Sequence, residues 1–241
     1  MKTREITNGR SLTIFDIDDT LFHTTAKIKV IKDGSVVREL TNQEFNTYQL
    51  QTGEQFDFGE FRNAEKFKRE SQPIRPMIAK LKAILKNTSG KVIMLTARAD
   101  FDDKQTFLST FAKYGIDMSR IHVHRAGNLT LPASPADKKA IFVRKYLDSG
   151  IYNRVRLYDD SIKNLTVFKD LKSEYPSVDF KAFYVGPKGN TSTVESQKEG
   201  LDLSKGNGSA AIKGDQYPFS PVGSIAKVQQ KGIYNYVKNL Y

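Results

Sequence analysis

The sequence has 241 residues, of which 39% are hydrophobic and 27% are charged. This composition is typical of a folded chain with a sizeable core and excludes wholesale disorder. It has no cysteine and no apolar run near the roughly 18 residues of a membrane span, which excludes disulfides, thiolate metal sites and a spanning helix. The 38 Lys and Arg residues against 27 Asp and Glu give a formal charge of +11, which favours anionic partners or, alternatively, serves solubility alone.

Short apolar runs alternate with helical patterns from residue 76 to about residue 185, an order typical of βαβ units. The predicted elements, in chain order, are a strand over 12–15, a helix from Pro76, a strand over 92–95, a helix over 102–114, a strand over 121–123, a helix over 135–147, a strand over 155–158, a helix over 162–174 and a strand over 180–185. We therefore expect an α/β protein with a Rossmann-like, three-layer α/β/α core around a central parallel sheet.

Residues 21–75 interrupt this alternation. Apolar runs at 28–31 and 36–40 flank Asp33-Gly34, which is a strong signal for a β-hairpin, and a stretch dotted with aromatic residues follows. We expect this segment to form a β-hairpin flap and a small cap that are inserted into the core.

The rest of the chain divides into a core and a tail. The core is predicted to consist of residues 1–20 and 76–187. Residues 188–241 are rich in Gly, Ser, Lys and Asn, which predicts a flexible basic tail, with a candidate terminal helix near 225–240.

The first predicted strand ends in an acidic run, Asp16-Ile17-Asp18-Asp19-Thr20. Parallel α/β sheets place their binding sites at the carboxyl ends of strands, where two carboxylates two residues apart can face one small volume. Such carboxylates repel each other, so the pattern needs a shared proton or a cation, and a hard divalent ion such as Mg²⁺ suits oxygen ligands. Taken alone, the run is equally explained by an acidic exit from a strand into a solvated loop.

Three further groups of polar residues fall at predicted strand or helix ends. Thr96-Ala97-Arg98 supplies a hydroxyl and backbone N–H groups suited to phosphate oxygens, and Asp159-Asp160 is a second acidic pair. Lys138 and Lys139 begin a helix and point about 100° apart, so only one is expected to bring its ammonium to the site. A cap, a solvated lysine or a loop aspartate would explain each group alone. Because all of them fall at one edge of the predicted sheet, a shared functional site explains them better than these separate structural roles.

These groups, in this order, resemble the four motifs of the haloacid dehalogenase (HAD) superfamily of phosphohydrolases. The residues that carry the resemblance, which covers roughly residues 11–187, are Asp16-Ile17-Asp18-Asp19-Thr20, Thr96, Lys138 and Asp159-Asp160. A looser similarity, through Met94–Arg98 and Lys138–Phe142, is to the phosphatase half of bacteriophage polynucleotide kinase; the glycine-rich loop of the kinase half has no counterpart here. The resemblance implies a HAD-like fold and a magnesium-dependent phosphatase.

The resemblance also implies a role for each carboxylate. Asp16 is then the nucleophile, and Asp18 is the general acid and later the base, because a leaving alkoxide needs a proton donor. The implied Mg²⁺ ligands are the side chain of Asp16, the backbone carbonyl of Asp18 and the side chain of Asp160, with Asp159 in a supporting role.

The same resemblance implies a phosphate-binding group made of Thr96, Ala97 and Lys138. Lys138 matches the family better than Lys139 in its spacing to the apolar pair at 141–142, but the choice between the two lysines stays open.

The substrate implied by the charge is a nucleotide or a nucleic-acid end phosphate. The cap aromatics Tyr48, Phe56, Phe58 and Phe61 could stack a base, although a small core of the cap explains them more simply. The alternatives are a non-catalytic nucleic-acid-binding protein, a small-metabolite phosphatase, and a phosphotransferase or phosphomutase. The intact carboxylates favour an enzyme over a binding module. The polar N-terminus has no signal-peptide pattern, so we expect a cytoplasmic protein without a membrane partner.

Overall fold

The protein was analysed as a computed structural model that describes residues 10–45 and 47–194. Its strands are β1 (Arg10–Phe15), β2 (Phe22–His23), β3 (Ile28–Lys32), β4 (Ser35–Leu40), β5 (Glu54–Asp57), β6 (Gln72–Pro73), β7 (Lys91–Thr96), β8 (His122–Arg125), β9 (Tyr152–Asp159), β10 (Asp179–Val185) and β11 (Thr191–Thr193). Its α-helices are α1 (Asn42–Phe45), α2 (Ala64–Glu70), α3 (Arg75–Asn87), α4 (Lys104–Ala112), α5 (Pro135–Leu147) and α6 (Ile162–Asp170). None of these described helices has the length and apolar character needed to cross a membrane.

The central sheet has six strands in the order β11-β10-β9-β1-β7-β8. The five strands from β10 to β8 are parallel, and β11 is antiparallel at one edge. The chain builds one side of the sheet through β7 and β8, then returns to the other side of β1 for β9 and β10. The strand order therefore reverses at β1, and the carboxyl ends of β1, β7 and β9 form the crevice where such sheets bind ligands.

Helices cover both faces of this sheet. Alternate side chains of β1 point to opposite faces, and Phe15 packs into a buried cluster with Met77 of α3 and Phe111 of α4. On the other face, Val143 of α5 and Phe168 of α6 pack close to β7 and β9. The arrangement confirms the predicted Rossmann-like α/β/α class, with an insert after β1.

The insert after β1 contains the predicted flap. β3 and β4 form a hairpin whose turn residues Asp33 and Gly34 both have positive φ, 49° and 76°, as a two-residue hairpin turn requires. β5 pairs with β3 on its other side, so the flap is a three-stranded sheet rather than a hairpin alone. Its own small core consists of Ala26, Ile28, Val30, Leu40 and Phe61, with partly buried Phe45, Tyr48 and Phe56 packed against it.

The core sheet continues into the segment that the sequence assigns to the tail. β11 pairs with β10, and Lys80 of α3 donates a hydrogen bond to Thr191 Oγ1 at 2.9 Å. The remainder of the predicted tail from residue 195, including the candidate helix near 225–240, lies outside the described residues.

Candidate active site

The segment after β1 carries the first acidic run and folds into a tight loop. Phe22 N donates to the carbonyl of Ile17 at 3.0 Å, and Asp19 N donates back to the carbonyl of Phe22 at 2.7 Å. Asp19 adopts a left-handed backbone conformation with φ of 54°, which aspartate tolerates better than most residues. Because Ile17 is fully buried, it anchors the loop while its neighbours Asp16 and Asp18 line the cavity above the sheet.

Asp16, the first residue beyond β1, is buried and forms an ion pair with Lys139 of α5. Lys139 Nζ donates to Asp16 Oδ1 at 2.6 Å. Burial raises the pKa of Asp16 to about 8, against the opposing effect of the Lys139 ammonium, and the charges of Asp159 and Asp18 contribute to the rise. A cation placed beside Asp16 would therefore favour its ionised form.

Asp159, the last residue of β9, is completely buried and is held on both carboxylate oxygens. Lys139 Nζ donates to Oδ2 at 2.9 Å, and Ser161 N donates to Oδ1 at 2.9 Å. The side-chain amide of Asn164 donates to both oxygens, at 2.9 and 3.0 Å. These bonds make Asp159 a fixed support for Lys139 and for the loop after β9.

Asp160 completes a cluster of carboxylates: one oxygen each of Asp16, Asp159 and Asp160 lies within 4.8 Å of the others. Burial raises the pKa of Asp160 well above its usual value, and the charges of Asp159 and Asp16 add to this effect. Lys139 brings one positive charge to three carboxylates, so ionising all three leaves an excess of negative charge that the single ammonium does not offset. Hard oxygen donors with excess negative charge fit a divalent cation such as Mg²⁺.

The two adjacent lysines of α5 have different surroundings. Lys139 is buried between Asp16 and Asp159, and Lys138 is half-buried and lines the cavity. Burial lowers the pKa of Lys139, but the charges of Asp159 and Asp16 outweigh it and hold the pKa above its ordinary value. The sequence interpretation preferred Lys138, whereas it is Lys139 that contacts the acidic cluster, because one residue of helix rotates a side chain by about 100°.

Asp18 is held by the side chain of Arg98, of which only the backbone N–H was predicted to contribute to the site. Arg98 Nε donates to Asp18 Oδ2 at 2.8 Å and Nη2 donates to Oδ1 at 2.6 Å, a bidentate pair that fixes the plane of the carboxylate. The same guanidinium donates to Phe61 O at 2.6 Å and to Thr24 Oγ1 at 3.0 Å, both in the insert. It also packs on the ring of Phe67, with the carbon Cζ 5.0 Å from the ring centroid. Arg98 is almost fully buried, so these partners satisfy it.

Thr96 ends β7, and Ala97 begins the loop that follows it. Thr96 is buried, accepts a hydrogen bond from Arg98 N at 3.1 Å and lies 3.5 Å from Asp18 Oδ2, and Ala97 lines the cavity. Gly127 N donates to Arg98 O at 3.1 Å. A Cβ at Gly127 would lie only 2.5 Å from Ala97 O, so this position needs glycine to let the two loops pack.

These groups surround one cavity of about 290 Å³. Asp16, Asp18 and Asp160 line it on the sheet side, and the loop around Ala97 closes one flank. The insert contributes Ile28, Asn42, Phe45, Phe58, Phe61 and Arg62 to its lining. The cavity therefore joins a strongly acidic floor to a largely apolar wall.

No histidine among the described residues lines this cavity. His23 lies beside Asp19, with Nδ1 3.6 Å from Oδ1, and does not line the cavity. His124 is buried against Phe142, and its Nε2 is 2.8 Å from the hydroxyl of Tyr146. Burial lowers the pKa of His124 to about 3, which agrees with a structural residue that stays neutral.

Comparison with known proteins adds little to this description. No protein-family model matches the chain, and no match was found among curated proteins. Among solved structures, the chain is similar to the HAD domain of the effector protein Lem4 from Legionella pneumophila, solved as an inactive mutant. That similarity has 14% identity and a TM-score of 0.46, and it covers 80% of this chain and 93% of the other. Values this low carry no functional argument, and the looser similarity to polynucleotide kinase phosphatase stays a hypothesis.

Proposed function

We propose that this protein is a Mg²⁺-dependent phosphomonoesterase that works through an aspartyl-phosphate on Asp16. The observation that carries the proposal is the meeting of Asp16, Asp159 and Asp160 within 4.8 Å, on one side of a cavity that Asp18 also lines. A pure binding module gains nothing from burying three carboxylates with one lysine, because the repulsion destabilises the fold. An enzyme that holds a divalent metal beside a carboxylate nucleophile needs such a cluster.

The residues of the chain suffice to hold the metal. Asp16 and Asp160 would bind Mg²⁺ directly, since both oxygens of Asp159 already accept hydrogen bonds from Lys139, Ser161 and Asn164. When bound, Mg²⁺ supplies positive charge that offsets the carboxylates and the phosphoryl oxygens. Lys139 adds a fixed positive charge at Asp16 Oδ1.

The proposed reaction has two displacements. In the first, Asp16 Oδ2 bonds to phosphorus as the bond to the leaving oxygen breaks, and Asp18 gives its proton to that oxygen. In the second, Asp18 takes a proton from water, the water oxygen bonds to phosphorus, and Asp16 is released with inorganic phosphate. Arg98 holds the carboxylate plane of Asp18 through both steps. The backbone around Ala97, which lines the cavity, is proposed to receive phosphoryl oxygens. Thr96 is buried beneath it and does not line the cavity, so its proposed part is to position Asp18 and the loop at Arg98.

The proposed substrate is a phosphate on a nucleotide or at a nucleic-acid end. The formal charge of +11 favours anionic substrates, and Lys138 and Arg62 bring positive charge to the cavity lining. A small-metabolite phosphatase would use the same floor of the cavity, and a panel of nucleoside monophosphates, 3′-phosphorylated oligonucleotides and sugar phosphates separates the two.

Hydrolysis of these esters is expected to require Mg²⁺ absolutely, and Ca²⁺ is expected to inhibit it. Ca²⁺ takes more ligands at longer distances and would engage both oxygens of Asp16, which leaves none to attack. Asp160→Ala should raise the Mg²⁺ concentration for half-maximal activity by about tenfold or more. The measurement is phosphate release by metal-stripped protein as a function of added Mg²⁺.

Asp159→Asn is the matched variant for this titration. It keeps the side-chain volume and should shift the Mg²⁺ requirement less than Asp160→Ala. A larger shift for Asp159→Asn would reverse the assigned roles of the pair. Full activity of stripped protein in excess chelator would rule out the metal requirement.

Asp18→Asn is expected to slow hydrolysis in a way that depends on the leaving group. The amide cannot donate a proton, so an alkyl phosphate should lose about a hundredfold or more in kcat/KM. p-Nitrophenyl phosphate should lose much less, because its leaving phenolate needs no proton. The measurement is kcat/KM for both esters with each protein.

Arg98→Lys tests the positioning of that acid. Lysine keeps the charge but cannot form the bidentate pair with Asp18, so the same dependence on leaving group should appear in weaker form. If Asp18→Asn lowers kcat/KM equally for both esters, Asp18 is not the proton donor.

A further inference from the structure

The wall of the cavity opposite the acidic floor is aromatic and comes from the insert. Phe58, between β5 and the following 3₁₀ helix, has 44% of its surface exposed. Phe45, at the end of α1, is half-buried and lies with its ring centroid 5.5 Å from that of Phe58, edge to face at 86°. Both residues line the same cavity as Asp16 and Asp18. The exposed ring therefore lies on the path from solvent to the reacting group.

The packing of the insert accounts for only part of the Phe58 ring, which meets the rings of Phe45 and Phe56 with centroids 5.5 and 5.9 Å apart. Phe61 is 8% exposed and packs on the guanidinium of Arg98, with Cζ 4.6 Å from the ring centroid. Phe56 packs against the small core of the insert, and its ring meets that of Tyr48 edge to face at 6.2 Å. Phe61, Phe56 and Tyr48 are therefore explained by their packing within the fold. Phe58, by contrast, keeps 44% of its surface exposed at the cavity, where its ring is open to a ligand.

From this geometry we infer that Phe58, backed by Phe45, is the subsite for the nucleobase of a nucleoside phosphate whose phosphate lies at Asp16. The inference rests on the proposed function for the position of the phosphate. Every nucleobase has a flat π face that can stack on an exposed aromatic ring, without sequence preference. A cavity of about 290 Å³ lies near the lower limit of small-molecule sites, so the proposed occupant is a single nucleotide.

The cations around the cavity agree with this occupant. Arg62 and Lys138 both line the cavity, and Arg62 follows in the same 3₁₀ helix that begins after Phe58. A nucleoside phosphate presents its negative charge at one end and its planar group at the other. The cavity offers both kinds of group, with the carboxylates and Lys138 on elements of the core and the Phe58 ring and Arg62 on the insert.

Phe58→Ala is expected to lower kcat/KM for nucleoside monophosphates by about tenfold, which is the range of one lost stacking contact. Hydrolysis of glycerol phosphate, which has no planar group, should change by less than twofold. Phe58→Tyr should restore the nucleotide rate because it keeps the ring. Val37→Ala is the matched control, since Val37 is exposed in β4 of the same flap and does not line the cavity.

Binding to Asp16→Asn protein in Mg²⁺ gives a readout that does not need turnover. The Kd of a nucleoside monophosphate should rise about tenfold when Phe58→Ala is added, and that of glycerol phosphate should not change. Equal effects on both ligands, or no effect on the nucleotide, would overturn the base subsite. If no ester is hydrolysed but nucleotide binding depends on Phe58, the proposed function fails and the subsite stands. If no nucleotide binds, the subsite is refuted whatever the activity.

Discussion

Asp16→Asn will lower kcat for phosphomonoesters by about a thousandfold or more, because the amide is a poor nucleophile and a weak ligand for Mg²⁺. The fold should survive the change. Asparagine has nearly the same shape, and Lys139 keeps its second partner, Asp159, at 2.9 Å. Removing one of three mutually repelling carboxylates should leave the metal-free protein as stable as the parent or more stable.

Two measurements decide this prediction. Acid-quenched reactions with ³²P-labelled substrate should leave label on the parent protein and none on Asp16→Asn, while thermal unfolding compares their stabilities. The matched control is Asp19→Asn, in the same loop. Asp19 contacts Asn42 and His23 instead of the acidic cluster, and asparagine also tolerates its positive φ. This control should keep activity within about tenfold. Retention of a tenth of the parent kcat by Asp16→Asn would remove Asp16 as nucleophile.

Lys139→Met will both destabilise the protein and suppress catalysis. The substitution leaves Asp16, Asp159 and Asp160 without their shared cation, and breaking a buried ion pair in this way costs about 3–5 kcal/mol. Loss of the fixed charge beside the attacking carboxylate should reduce kcat by about a hundredfold. Methionine keeps the apolar volume of the lysine stem, so packing contributes little to either effect.

Lys138→Met, the neighbouring substitution on α5, is the control for stability. Lys138 is only half-buried, so its loss should change the free energy of unfolding by about 0.5 kcal/mol or less. Chemical denaturation of both variants in chelator makes the comparison. In the Asp16→Asn background Lys139→Met should cost less, because one of the stranded carboxylates is gone. Equal destabilisation by the two lysine substitutions would show that Lys139 does not hold the cluster together.

The sequence predicts the core well because the periodic patterns and the motifs are local. The strand over 12–15 and the helix over 135–147 both match the structure closely, and the acidic runs at their expected strand ends meet as the parallel sheet requires. It is harder to predict from the sequence whether Lys138 or Lys139 contacts the acidic cluster. Ile141 and Phe142 lie one turn after Lys138, but the buried stripe of α5 runs through Ala136, Lys139, Ala140 and Val143, and that stripe was visible in the sequence.

Contacts between residues that are distant in the sequence cannot be predicted from such local patterns. Arg98 and Asp18 are 80 residues apart, and no periodicity links them. β5 was missed because its pairing with β3 depends on the fold of the insert rather than on its own sequence. β11 was assigned to the tail because Gly186-Pro187 favours a linker, but the chain turns back there and pairs with the edge of the sheet.

The position of Arg98 limits how far the insert can be treated as a separate module. One guanidinium donates to Asp18 of the core and, within the insert, to Thr24 Oγ1 and to the carbonyl of Phe61. Grafting another cap onto this core would break two of these three attachments and free the arginine to turn away from Asp18. A chimera built to change substrate preference would therefore also lose the orientation of Asp18, the proposed proton donor. The graft must retain a hydroxyl at position 24 and the backbone path through position 61.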